Sequence, residues 1–143
     1  MKTANISIRN AGKKELHEFE VEAWKASFEE LYGEFQVWAE EEFRFKAVID
    51  GEIVGGTKGK LEVGVVYGDT IIIKKDYRGK GIGKKLIQKM ERWAKKKGAH
   101  KIYFFTRMEW ESREIYEYLG YEKWAELPKH FLGYDFVGYH KFI

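Results

Sequence analysis

Hydrophobic and polar positions change period several times along this chain, and each change marks an element. Ile6-Ser7-Ile8 alternates, which predicts a short first strand. Leu16, Phe19, Ala23, Trp24, Phe28, Leu31 and Tyr32 recur at helical spacing and predict an amphipathic helix that stops near Gly33. Phe35, Trp38 and Ala39 suggest a second, shorter helix. From Phe45 onward the pattern shifts. Ala47-Val48-Ile49 reads as a strand, and Asp50-Gly51 as a hairpin turn, because glycine accepts the positive φ of a tight turn. Ile53-Val54 opens the return strand. Leu61, Val63 and Val65 then alternate with Lys60, Glu62 and Gly64, which gives one buried and one open face. Gly55-Gly56 is a place for a bulge, and Gly68-Asp69 reads as another hairpin turn. Ile71-Ile72-Ile73 is a continuous apolar run, the pattern of a central strand covered on both faces.

The second half repeats this logic. Ile82, Leu86, Ile87, Met90, Trp93 and Ala94 define a helix that Gly98 stops. Ile102-Tyr103-Phe104-Phe105 is a buried strand. A helix runs through Trp110, Ile115, Tyr118 and Leu119 to Gly120, and 121–125 and 135–142 are two closing strands. The order β-α-α-β-β-β-α-β-α-β-β predicts one mixed α/β domain over residues 1–143, without internal repeat or linker.

Composition narrows the class. A chain of 143 residues with 44% hydrophobic and 17% aromatic residues can bury a core. No apolar run approaches the roughly 20 residues of a membrane span, and the N-terminus lacks the apolar core of a signal peptide. The expectation is a soluble, cytoplasmic protein with no membrane partner. The absence of cysteine excludes disulfides and thiol nucleophiles. Lys+Arg number 26 against 23 Asp+Glu, a net charge of +3, which is too weak to argue nucleic-acid binding. The distribution says more, since 74–101 is strongly basic and 29–42 acidic. Many Lys and Glu with a single proline resemble the composition of heat-adapted proteins, so a high melting temperature is expected.

The candidate chemistry sits between the Ile71-Ile73 strand and the helix after it. In Arg78-Gly79-Lys80-Gly81-Ile82-Gly83 the glycines let the backbone turn sharply and aim consecutive N–H groups at one ligand. The helix that starts there adds the positive end of its dipole, and Arg78, Lys80, Lys84 and Lys85 add charge. A phosphate suits this place. The dinucleotide pattern G-x-G-x-x-G fails because Lys84 stands where its last glycine belongs. The P-loop pattern fails at Arg78 and at Lys85. The pattern [Q/R]-x-x-G-x-[G/A] is met.

On these residues, and on the whole stretch from Ile71 to Ile87, the sequence resembles the GNAT superfamily of acyl-CoA N-acyltransferases. Lys75 departs from the family's frequent proline. Ser112-Arg113-Glu114-Ile115-Tyr116-Glu117-Tyr118-Leu119-Gly120-Tyr121 is similar to the family's second motif, A-x-x-[LF]-Y-x-x-x-G-F. The resemblance covers 45–121 well. It implies a mixed, mostly antiparallel twisted sheet of about six to seven strands flanked by about four helices. It implies acetyl-CoA as co-substrate, with its pyrophosphate on Arg78, Gly79, Lys80, Gly81, Ile82, Gly83 and Lys84. Ile71, Ile72 and Ile73 would line the cofactor, and a backbone N–H among them, with Ile73 nearest the loop, would face the thioester oxygen. Tyr116 matches the family's tyrosine that protonates the departing thiolate. Glu109, where the family commonly has Asn, and Ser112 complete the expected cofactor contacts.

The amine-deprotonating base stays open among Glu62, Asp69, Glu109, His130 and Asp135. The four histidines lack metal-ligand spacing, so no metal is expected. The acceptor also stays open between a small-molecule amine and a peptide. An aromatic wall of Trp24, Phe28, Tyr32, Phe35 and Trp38 beside Glu40-Glu41-Glu42 would suit a cationic amine, although a plain core stripe reads as well. Monomer and homodimer are both allowed. Two rival readings are an acyl-CoA-binding regulatory module without turnover and a nucleic-acid binder using 74–101.

Overall fold

Two tight turns set up the sheet. Asp50 and Gly51 take φ of 48° and 78°, so β1 (Glu40–Ile49) returns at once as β2 (Glu52–Glu62). Val63 and Gly64, with φ of 45° and 84°, do the same between β2 and β3 (Val65–Ile73). Positive φ at both central residues matches the twist of the flanking strands. The second hairpin turn therefore lies at Val63-Gly64. Gly68-Asp69, read from the sequence as that turn, lies inside β3.

The computed structural model describes residues 4–33, 39–110 and 112–143. Its contacts divide the chain into two units, Met1–Val37 and Trp38–Ile143. The second unit holds a six-stranded mixed sheet of order β1-β2-β3-β4-β6-β5, with β4 at Lys101–Arg107, β5 at Glu122–Leu127 and β6 at Phe136–Phe142. Only β3 and β4 run parallel, and a parallel pair needs a crossover. That crossover is α2 (Ile82–Lys96), which buries Leu86, Ile87, Met90 and Ala94. A short α3 (Ser112–Tyr118) connects β4 to β5. The core joins these helix residues to Val66, Ile102, Phe104, Tyr116, Tyr121, Val137 and Tyr139. A buried ion pair fastens α2 to β6, with Lys141 Nζ 2.8 Å from Glu91.

Three register shifts shape the sheet, one of them at Trp124 of β5. Ala47 pairs with Gly55 and Val48 with Ile53, which leaves Val54 unmatched just before the glycine pair suspected from sequence. The second is more consequential. Lys58 pairs with Thr70 and Gly59 with Gly68, so Asp69 is the extra residue of β3. An extra residue shifts the side-chain alternation by one. Val66 and Gly68 point to the α2 side before it, and Ile71 and Ile73 after it. Ile72 is thereby turned to the other face and is 62% exposed. The expectation that 71–73 is covered on both faces is thus corrected, because the bulge breaks the strand's regular phase.

The first unit holds α1 (Lys13–Tyr32). The Gly12 N–H donates to the Glu15 carboxylate at 2.6 Å. At the other end Gly33, at φ 76°, donates its N–H to the Glu29 carbonyl. Ile6-Ser7-Ile8 forms no strand, since it pairs with nothing and both isoleucines are exposed. Three α-helices stand among the described residues where about four were expected. Phe35 and Trp38, which suggested the extra helix, lie outside the described residues, and Ala39 directly precedes β1.

Candidate active site

The two central strands part. β3 and β4 are bonded to each other only over Val65–Gly68 and Lys101–Phe104. Beyond these rungs β3 stays paired to β2 as far as Ile73, and β4 to β6 as far as Arg107. Each strand is held on its outer side, and the facing backbone edges are left open. The Asp69 bulge stands where the pairing stops, as bulges that bend a strand away from its neighbour do. Up to that point contact is close. A Cβ on Gly68 would come within 1.9 Å of the Phe104 ring.

Strand alternation tells which groups face the opening. The Lys74 N–H donates to the Val54 carbonyl on β2 at 2.8 Å. Ile72 shares that direction, so the N–H groups of Ile71 and Ile73 point into the gap. The Ile73 carbonyl lies on the same side and accepts from Arg78 Nε at 3.0 Å. Arg78 thus ties the glycine loop to the end of β3.

The loop's glycines are required by backbone conformation. Gly79 and Gly81 have φ of 75° and 81°, and no atom lies within 4 Å of a Cβ built on either. L-residues are strained there, and the space is open. Gly81 is the N-cap of α2 and has no side chain to cap it. The helix's first ring closes from Lys85 N–H to the Gly81 carbonyl at 3.1 Å. The N–H groups of Ile82, Gly83 and Lys84 are therefore helix-end donors, carrying the positive end of the dipole. Gly83 serves packing as well, since its Cβ would lie 3.4 Å from Ile115 and 3.9 Å from Ile73. Lys84 reaches to α3, its Nζ 3.4 Å from the Tyr118 hydroxyl. Lys80 lies over the Tyr77 ring. Positive-φ glycines, an uncapped helix start and an open strand edge meet here, an arrangement that can take an anionic group beside an extended chain.

Other expected site residues fall elsewhere. Tyr116 is 2% exposed and stacks on Phe104 with ring centroids 4.7 Å apart. Burial pushes its phenol well above the usual range, so it keeps its proton. Ser112 shares a 2.7 Å hydrogen bond with Thr106. Glu109 is gripped by Arg107, at 3.1 and 3.2 Å, and this holds its carboxyl below the ordinary value. Glu62 lies at the far end of β2, away from the loop, and is ion-paired to Lys60. Asp135 accepts from the Lys129 N–H, and Asp69 occupies the bulge. Sequence reasoning did not single out Arg113, whose Nε donates to the Tyr139 hydroxyl and whose Nη1 donates to the Met108 carbonyl. It also passed over Arg107. An arginine closing an aromatic strand was the available signal.

Fold and site together define a mixed α/β domain that splits its parallel strand pair beside a glycine-rich loop and an uncapped helix start. The sequence profile of the acetyltransferase (GNAT) family matches residues 13–121, and the chain belongs to that family. Solved structures share the fold. An acetyltransferase from Bacillus cereus ATCC 14579 superposes with a TM-score of 0.77 at 22% identity, over 96% of this chain and 98% of that one. The ribosomal-protein-S18-alanine N-acetyltransferase from Escherichia coli gives a TM-score of 0.66 at 17% identity, over 71% and 69%. A GNAT family acetyltransferase from Elizabethkingia anophelis, solved with acetyl-CoA bound, gives 0.65 at 16%, over 70% and 75%. No curated protein matches the sequence.

Proposed function

We propose that this protein is an N-acetyltransferase that moves the acetyl group of acetyl-CoA to a primary amine by direct attack in a ternary complex. The observation that carries this reading is the parting of β3 and β4 beyond Gly68 and Phe104, with the uncapped start of α2 beside it. When bound, acetyl-CoA supplies an activated acetyl carbon and a thiolate leaving group. Arg78, Gly79, Lys80, Gly81, Ile82, Gly83 and Lys84 hold its pyrophosphate through backbone N–H groups and positive charge. One of the two gap-facing N–H groups, that of Ile73 being nearer the glycine loop, donates to the thioester oxygen as it gains charge. Ile72 contributes backbone continuity only, because its side chain turns away. Tyr116, whose burial pushes its phenol above the usual range, donates a hydrogen bond to the departing sulfur and so stabilises the thiolate. Ser112 fixes the start of α3 against β4. The mechanism requires no metal and no enzyme nucleophile. The Lys- and Glu-rich composition supports a melting temperature above about 65 °C.

Release of CoA thiol from acetyl-CoA, measured across a panel of small amines and peptides, tests this reading. The wild type turns over at least one amine. Tyr116→Phe binds acetyl-CoA as the wild type does and loses about 100-fold in kcat. Tight binding of acetyl-CoA with no turnover of any amine would instead identify a regulatory module.

A further inference from the structure

We infer that the acceptor carries a carboxylate beside its amine, as a free amino acid does, and that Arg107 is the residue that reads it. This rests on the acetyltransfer proposed above and names the substrate class for the same site. Arg107 closes β4, at the end where that strand has left β3. The side chains of Ile102, Phe104 and Thr106 are buried toward the helices, so Arg107 projects from the opposite face of the sheet. It therefore stands across the gap from Ile71 and Ile73, on the face of the sheet away from the proposed phosphate cradle.

The guanidinium is prepared for a planar anion. It lies over the Tyr134 ring at 3.7 Å and beside the Trp110 ring at 5.6 Å. Arginine stacked in this way loses little freedom when its fork is filled. The loop that carries Tyr134 is itself fastened down. The His130 N–H donates to the Tyr134 carbonyl at 2.8 Å, and the Met108 N–H to the Asp135 carbonyl at 3.3 Å. The fork already holds a carboxylate, since Glu109 is engaged by both Nε and Nη2. Glu109 is a near neighbour in sequence and its side chain is 61% exposed. The pair is open to water on the Glu109 side, so a ligand carboxylate can compete for the same fork. Glu109 thus shows the geometry of the ligand it would yield to. Trp110, beside the guanidinium, packs on the buried Phe136, which packs on the exposed Phe131, and this aromatic cluster favours an amino acid with an apolar side chain.

The test follows the Arg107 Nε–H resonance in 15N-labelled protein, assigned by its loss in Arg107→Lys. 3-Phenylpropionate should move it saturably, and 3-phenylpropanamide should bind at least about tenfold more weakly. Glu109→Gln should tighten the carboxylate by about threefold, because it removes the internal competitor. In turnover, L-phenylalanine should exceed phenethylamine in kcat/KM, and Arg107→Gln should abolish that preference. An unmoved signal at tens of millimolar, equal response to the amide, or weaker binding in Glu109→Gln would overturn the inference. Acetyl-CoA titrated into the same samples reports separately on the proposed function. An amino acid site can thus fail while the cofactor still binds.

Discussion

The same two strands, β3 and β4, behave oppositely in their two halves. Over Val65–Gly68 and Lys101–Phe104 they are zipped together. Glycine is used there to admit an aromatic ring, since a Cβ on Gly68 would meet the Phe104 ring at 1.9 Å. Beyond the Asp69 bulge the strands separate, and the glycines of the adjoining loop stand in open space at positive φ. In the closed half glycine makes room for the protein's own side chains. In the open half Gly79 and Gly81 hold a backbone shape that no packing contact demands, which is what the proposed cofactor site would require. The two kinds of glycine look alike in sequence, and only their surroundings separate packing from ligand binding.

Substitutions can break that contrast. Gly68→Ala forces a methyl into the Phe104 ring and should cost about 3 kcal/mol or more, read by urea denaturation. A cost below about 1 kcal/mol would mean the strands have room there, and that the closed half is not tightly closed. Gly83→Asp acts on the open half. It should lower acetyl-CoA affinity by roughly 100-fold through added bulk and negative charge, and it also costs stability, because its side chain starts against Ile115 and Ile73. Normal binding in Gly83→Asp would remove the cradle assignment. The smallest effect is expected at the start of β3, where the β-branched Val63 holds φ 45°. Val63→Asn should stabilise by about 1 kcal/mol, because asparagine tolerates that conformation, with no change in acetyl-CoA affinity.

Much of this was legible in sequence, and the reasons differ by element. The Asp50-Gly51 turn and the helix from Ile82 to Lys96 depend on neighbouring residues, so local patterns reveal them. The glycine loop was legible for the same reason. The bulge was not, because three successive isoleucines hide the change of phase that Asp69 imposes. The place of Tyr116 shows another limit. Its helical spacing is local, but its stacking on Phe104 arises only when α3 packs on β4. Arg107 depends on Tyr134, which is distant in sequence and near in space. Ile6-Ser7-Ile8 alternates correctly for a strand, but alternation cannot supply the neighbour a strand needs.

On the proposed function, the opening between β3 and β4, with the start of α2, receives acetyl-CoA. Calorimetric titration of acetyl-CoA into the purified protein, with ATP and NAD as controls, puts this to the test. Micromolar, one-to-one binding of acetyl-CoA that the controls do not match is expected. Equal binding of all three, or none of acetyl-CoA, would contradict it and return the glycine loop to a basic turn.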